Sequence, residues 1–159
     1  MPDANPTVFA GSTNLPPGEA VAEKGSFGYF EHGADIGVIG RGPTLEEAFE
    51  QAAAAMFRIM ADRTGLPITT DVSVSFEETD TEIALVQWLN ALLAEAQIEH
   101  LIPVEFHIER NGAAWHGVAR GERWSAAMKR GVEVKGATLT MLSVRHDERG
   151  WEARCVVDV

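Results

Sequence analysis

Two strand-like segments on either side of a tight turn constrain the fold more than any other feature of the chain. The segments are Val104 to Glu109 and Ala113 to Arg120, and Asn111-Gly112 lies between them. Asn-Gly is typical of the short turns that join neighbouring antiparallel strands. The pattern therefore predicts a β-hairpin and an antiparallel sheet.

Further segments extend this prediction to at least six strands. Phe27 to Phe30 has the composition of a strand, and Val72 to Phe76 alternates apolar and polar residues. We interpret Gly131 to Arg145 as strand, followed by a turn at Asp147 to Gly150 and an apolar terminal strand. Hairpin connections between such segments again favour antiparallel pairing.

Two helices are predicted between the strands. Thr44 to Glu47 has the form of a capping box, and apolar residues continue from there at helical spacing until Gly65 and Pro67 stop the pattern. Thr79 to Glu82 repeats the capping logic, and the broad apolar face that follows predicts that the second helix is the more buried one. The fold class is therefore α+β, a single compact domain with two amphipathic helices packed on a largely antiparallel sheet.

Composition limits the domain count and the compartment. The 159 residues suit one domain, which we place at residues 27–159, after a flexible leader of residues 1–26 that is rich in Pro, Gly and small polar residues. A single cysteine, Cys155, cannot form an internal disulfide, which favours a reducing compartment. No segment is apolar enough to span a membrane, so we expect a cytoplasmic protein.

The charge of the chain argues against tight binding of nucleic acid. Thirteen Lys and Arg residues face 24 Asp and Glu residues, for a formal net charge of -11. Such a surface repels a phosphate backbone unless basic residues gather on one face. The sequence has no basic cluster longer than Lys129-Arg130.

Carboxylates at both ends of the domain are the candidate chemistry. Asp35 follows the first predicted strand, Asp158 interrupts the apolar terminal strand, and the α-carboxylate of Val159 comes one residue later. If the fold brings them together, three carboxylates either bind a hard cation or repel each other with raised pKa values. The alternatives are that Asp35 bonds the backbone of its own turn and that the terminus is a solvated, frayed end.

Two other residues are candidates for the same surface. His32 can bind a metal, relay a proton or donate to a nearby carboxylate, and Lys135 can offset the carboxylates or contact a phosphate or an acidic partner. A structural histidine and a solvated strand lysine are the alternatives. We discount a zinc site because the remaining histidines lack the spacing of zinc ligands: His100, His107, His116 and His146.

Several segments resemble the archease family in their order and spacing. They are Phe30 to Gly37, Gly42 to Ala53, Glu133 to Thr138, Trp151 to Arg154 and Val156 to Val159. The similarity covers Phe27 to Val159. It departs from the family pattern at Gly33, where many members have Thr, and at Leu139-Thr140, where many have a Tyr-His pair.

The resemblance implies a compact α+β fold and a non-catalytic accessory role. Its partner would be an RtcB-type RNA ligase, which joins RNA in tRNA splicing and RNA repair through a guanylylated histidine. The protein would promote guanylylation and multiple turnover. By the same resemblance Asp35, Asp158 and Val159 would hold a divalent cation, Ca²⁺ or Mg²⁺, and we assign Lys135 and His32 to the surface that faces the partner.

Two other functions remain open from the sequence. A small chaperone or general interaction module would use the apolar face of the helix from Thr81 to Glu99, without dependence on a metal. A metal-dependent hydrolase would need a general base beside the carboxylates, for which only His32 and Glu31 are placed.

Overall fold

A computed structural model describes residues 25–159, which form two helices and eight strands. In chain order the elements are β1 (Ser26–His32), β2 (Asp35–Gly42), α1 (Leu45–Met60), β3 (Thr70–Glu77), α2 (Thr81–Ile98), β4 (Leu101–Asn111), β5 (Ala114–Arg123), β6 (Gly136–Ala137), β7 (Ser143–Asp147) and β8 (Gly150–Asp158). Residues 1–24 of the predicted leader lie outside the described residues. Neither described helix combines the length and the apolar composition that a membrane crossing requires.

The strands form two antiparallel sheets. The first has the order β1-β2-β8-β6, with β7 also paired to β8, and the second has the order β3-β5-β4. Every strand pair in the described part of the chain is antiparallel. The predicted α+β architecture, two helices on largely antiparallel sheet, is confirmed.

The first helix begins where the capping pattern predicts. The Thr44 hydroxyl accepts the N–H of Glu47 at 3.1 Å, which satisfies one of the donors that a helix start leaves unpaired. The second helix differs in its cap, because Asp80 and not Thr79 occupies that position. The Asp80 carboxylate accepts the N–H groups of Glu82 at 2.8 Å and Ile83 at 3.2 Å.

The prediction that α2 is the more buried helix is wrong. Nine residues of α1 are buried against six of α2, although α2 is longer. The reason is position, since α1 packs against strands of both sheets, β2 and β8 in the first and β4 in the second. At the α1–β2 contact a Cβ on Gly40 would lie 2.1 Å from the carbonyl oxygen of Ala48, so the helix and strand touch through their backbones.

The largest buried side chain of α2 ties that helix to the rest of the core. Trp88 is fully buried, and its indole N–H donates to the carbonyl of Phe49 at 2.9 Å. Its ring covers Gly117 of β5, where an added Cβ would lie 2.2 Å from the ring. One side chain therefore joins α1, α2 and the second sheet.

The segment from residue 131 to residue 145 is less regular than predicted. Its only strands are β6 and the first part of β7. Gly131 and Val132 lie outside the sheet and donate their N–H groups to the carbonyls of Met60 and Ile59 at 2.8 and 2.9 Å. These bonds satisfy carbonyls that the end of α1 leaves unpaired. The segment therefore satisfies the C-terminal end of α1 before it joins the first sheet at β6.

The predicted hairpin exists as β4 and β5. Its turn is Gly112-Ala113, one residue later than predicted, because Asn111 pairs with Ala114. Glycine fits the turn since φ at Gly112 is +66°. His107 and His116 do not face each other across it: His107 lies opposite Val118, and His116 opposite Glu109.

Candidate functional site

Three of the residues singled out from the sequence, two aspartates and one histidine, lie in one row across the first sheet. His32 pairs with Asp35 in the β1–β2 hairpin, and the last pair of β2 with β8 is Ile36 with Val157. One further step of that register brings Asp35 opposite Asp158. Because directly opposed residues point to the same face of a sheet, the side chains of His32, Asp35 and Asp158 share one face, where the pairing of β2 with β8 ends. We call this end of the sheet the acidic edge.

The β1–β2 hairpin places Asp35 at the start of a strand and not in the turn. The turn is Gly33-Ala34, and φ at Gly33 is +60°, a conformation that glycine adopts without a steric cost. The residue that departs from the common family pattern thus occupies the position where the hairpin favours glycine.

Asp35 binds the far end of the chain. Its Oδ1 accepts the N–H of Val159 at 3.2 Å, one residue beyond the last residue of β8. The carboxylate therefore takes the place of a main-chain acceptor where the ladder between β2 and β8 stops. Asp35 therefore holds Val159 against the first sheet.

Asp35 and Asp158 place two like charges at the ends of neighbouring strands. Asp35 is half-buried and Asp158 is exposed, and within residues 25–159 neither forms an ion pair with a basic side chain. Like charges directly opposite on neighbouring strands are destabilising. A bound cation would remove this repulsion.

The two aspartates at this edge offer oxygen donors only. In the described part of the chain no three His, Cys, Asp or Glu side chains are arranged to hold a metal, so His32 does not complete a group with the two aspartates. The remaining donors are the carboxylates of Asp35 and Asp158. An all-oxygen set of this kind suits Ca²⁺ or Mg²⁺ and not zinc.

Lys135 approaches the acidic edge through its backbone. Its main-chain N–H donates to the carbonyl of Asp158 at 2.8 Å. The side chain is exposed, forms no ion pair among the described residues, and lines a cleft of about 700 Å³ between α2 and residues 130–135. Trp124 also lines this cleft, and the guanidinium of Arg130 lies 3.8 Å from the centroid of its ring.

Asn90 of α2 supports the acidic edge, although nothing in the sequence argument singled it out. Its side-chain amide donates to the carbonyl of Ala137 at 3.1 Å and accepts the N–H of the same residue at 2.8 Å. Ala137 belongs to β6, which pairs with Val157 and Asp158 of β8. The only available signal is a polar residue within an otherwise apolar segment of α2, Trp88 to Leu93.

The model of the archease protein family matches residues 27–159. The chain belongs to the archease family. The sequence resemblance is thus confirmed over the range that it predicted. The match includes every residue of the acidic edge, from His32 to Val159.

Individual archeases give the same result. The chain is 37% identical to protein archease of Archaeoglobus fulgidus, over 82% of this chain and 97% of that one. It is 32% identical to protein archease of Sulfolobus acidocaldarius, over 84% of this chain and 98% of the relative. The alignment therefore spans nearly the whole length of both archeases.

A solved structure supports the archease fold. The solution structure of Methanobacterium thermoautotrophicum protein 1598 superposes with a TM-score of 0.74 at 30% sequence identity, covering 84% of this chain and 99% of that protein. Nearly all of that structure therefore has a counterpart in this archease chain.

Proposed function

We propose that this chain is a non-catalytic activator of an RtcB-type RNA ligase, acting in the cytoplasm in tRNA splicing and RNA repair. It promotes guanylylation of the ligase and its multiple turnover. Membership of the archease family supports this role. The observation that carries the proposal is the row of Asp35 and Asp158, two opposed carboxylates at one sheet edge without a basic partner among the described residues.

The proposed edge site binds one divalent cation, Ca²⁺ or Mg²⁺, through Asp35, Asp158 and the α-carboxylate of Val159. When bound, the cation supplies positive charge at an otherwise acidic edge. The hydrogen bond from Val159 N–H to Asp35 Oδ1 supports this assignment, because it fixes the last residue of the sequence beside one of the proposed ligands. Asp35 retains its second oxygen for a ligand.

The partner of the edge is the ligase and not its RNA. The formal net charge of -11 opposes direct contact with a phosphate backbone, but it favours approach to a positively charged cleft on another protein. Lys135 and His32 flank the carboxylates and contribute the exposed polar groups that face the ligase. We propose that the edge enters the ligase active site and assists nucleotide or metal loading.

The decisive experiment combines RNA joining with cation binding. We expect the chain to increase the number of turnovers by an RtcB-type ligase, and Asp158→Asn to lose this effect together with the thermal shift that Ca²⁺ or Mg²⁺ produces. Asp71→Asn is the matched control, since Asp71 is an exposed strand aspartate on the second sheet. That variant should stimulate the ligase and respond to the cation as the parent chain does.

Two results would overturn the proposal. Stimulation by Asp158→Asn equal to that of the parent chain would remove the acidic edge from the function. No stimulation of a ligase that is competent for a single turnover would remove the accessory role. The protein would then be better interpreted as a general interaction module that uses α2 and acts without a divalent cation.

A further inference from the structure

The segment between β6 and β7 exposes two large apolar side chains. Among residues 25–159, five large apolar residues are exposed, and only two of these lie close together in the sequence: Leu139, 63% exposed, and Met141, 48% exposed. We name residues 138–142 the apolar bulge. Single exposed apolar residues are ordinary, but two within three residues on a fixed backbone are the kind of feature that marks an interaction surface.

The backbone of the apolar bulge is fixed to β8. Both main-chain groups of Val156 bond to it, since Thr138 N–H donates to the Val156 carbonyl at 3.0 Å and Val156 N–H donates to the Thr140 carbonyl at 3.1 Å. The Thr138 hydroxyl donates to the same Val156 carbonyl at 2.8 Å and accepts the N–H of Thr140 at 3.1 Å. Leu139 therefore projects from a segment pinned on both sides of it.

Met141 adopts a backbone conformation that costs energy. Its φ is +56°, a left-handed value that side chains other than Gly, Asn and Asp rarely adopt. A glycine there would remove the strain, yet the chain keeps a large apolar residue that is nearly half exposed. Such strained positions concentrate at functional surfaces.

The apolar bulge lies beside the acidic edge. Val156, to which it is bonded, is two residues before Asp158 on the same strand, about 7 Å along β8. Asn90 anchors β6, the element that leads into the bulge, from the opposite side. A partner that engages Asp35 and Asp158 therefore meets Leu139 and Met141 directly next to them.

We infer that Leu139 and Met141 form the apolar part of the docking surface for the ligase, an inference that rests on the proposed function. The acidic edge is complementary to a cleft lined with cationic side chains, as an active site that handles RNA ends and a nucleotide must be. The bulge continues this edge with an uncharged contact. The apolar bulge contacts the rim of that cleft, which carries an apolar patch beside its basic lining.

The test separates docking from cation binding and from stability. The affinity for the ligase is measured for the parent chain, Leu139→Ser, Met141→Gly and Asp158→Asn, with Ile68→Ser and Ile98→Ser as exposed apolar controls on other parts of the surface. Met141→Gly relieves the positive φ, and the melting temperature of each variant shows whether a loss of affinity comes with a loss of stability. We expect Leu139→Ser and Met141→Gly each to weaken ligase binding about tenfold or more, as interface anchors do. The ligase affinity of the two control variants should not change. Leu139→Ser and Met141→Gly should keep the thermal shift with Ca²⁺ or Mg²⁺, which Asp158→Asn should lose together with its ligase affinity.

Each other outcome overturns the inference in a recognisable way. Binding by Leu139→Ser and Met141→Gly as tight as that of the parent chain, with stimulation intact, removes the bulge but leaves the proposed function in place. Weaker self-association of these variants in sedimentation, with unchanged ligase affinity, assigns the bulge to contacts between copies of the chain. A parent chain that neither binds nor stimulates the ligase overturns both proposals together.

Discussion

Asp35 accepts a hydrogen bond from the main-chain N–H of Val159, although 124 residues separate the two in sequence. The bond closes the ladder between β2 and β8 at the point where main-chain pairing ends. Asp35 is therefore a structural residue as well as a candidate ligand. Asp158, exposed on the neighbouring strand, has no such structural bond among the side-chain contacts of the described residues.

This difference predicts that the two aspartates affect stability unequally. Asp35→Ala should lower the free energy of unfolding by about 1 kcal/mol, because Val159 N–H loses its acceptor. Asp158→Ala should leave it unchanged or slightly higher without divalent cations, since one of two opposed like charges disappears. Urea unfolding in a chelating buffer measures both, and equal losses for the two variants would contradict the assignment.

The contact between α1 and β2 predicts a sharp difference between two glycine positions. Gly40→Ala should destabilise the fold by about 3 kcal/mol, because the new Cβ would lie 2.1 Å from the Ala48 carbonyl oxygen and 2.3 Å from the Ala52 nitrogen, atoms that cannot rotate away. Gly136→Ala is the matched control, since its Cβ would meet only the Asn90 side chain, at 3.5 Å. Thermal unfolding of the two variants should differ clearly, and similar melting temperatures would mean that α1 does not press on β2.

Glu50 predicts a specific dependence of stability on pH. This side chain of α1 accepts the N–H of Ile108 at 3.0 Å on β4, and burial raises its pKa above the ordinary value of 4.5. A raised pKa in the folded state means that its stabilising contribution is full below 4.5 and is lost as pH rises through the folded value.

The matching variant is Glu50→Gln, which keeps an acceptor for Ile108 but cannot ionise. As pH rises above 4.5 and through the folded pKa of Glu50, the parent chain should lose stability relative to this variant, and the difference should then stay constant. Both chains are best compared in a His107→Gln background, because His107 Nδ1 lies 3.5 Å from the Glu50 carboxylate and can pair with it. A difference that does not change with pH would show that Glu50 ionises as freely as in the unfolded chain.

Cys155 should not react while the protein is folded. The thiol is fully buried, and burial raises its pKa from 9.0 to about 12, so almost no thiolate is available at neutral pH. A thiol reagent such as a disulfide dye should label the chain only after denaturant unfolds it. Rapid labelling of the native protein would mean that β8 opens locally.

Local sequence signals were sufficient for the elements whose causes are local. The Thr44 cap, the β4–β5 hairpin and the alternation of β3 depend on neighbours in sequence, and each appears in the structure. The greater burial of α1 has a cause that is not local. It depends on α1 lying between two sheets, which no pattern within α1 reveals.

The acidic edge could be predicted only in part from the sequence. The unusual Asp158 at the end of an apolar strand pointed to it, and the resemblance to archeases placed Asp35 beside it. The row itself is a matter of register between β1, β2 and β8, and register comes from long-range pairing. Asn90 escaped notice for the same reason, because its partner Ala137 is 47 residues away.

Asn90 also changes what the sheet can do with its neighbours. Its amide meets the N–H and the carbonyl of Ala137 as a further strand would, so the rim of the first sheet at β6 ends in a helix side chain and not in open peptide groups. Open strand edges invite other chains to add on and start aggregates. A residue without an amide at position 90 would leave the N–H and the carbonyl of Ala137 open to another chain.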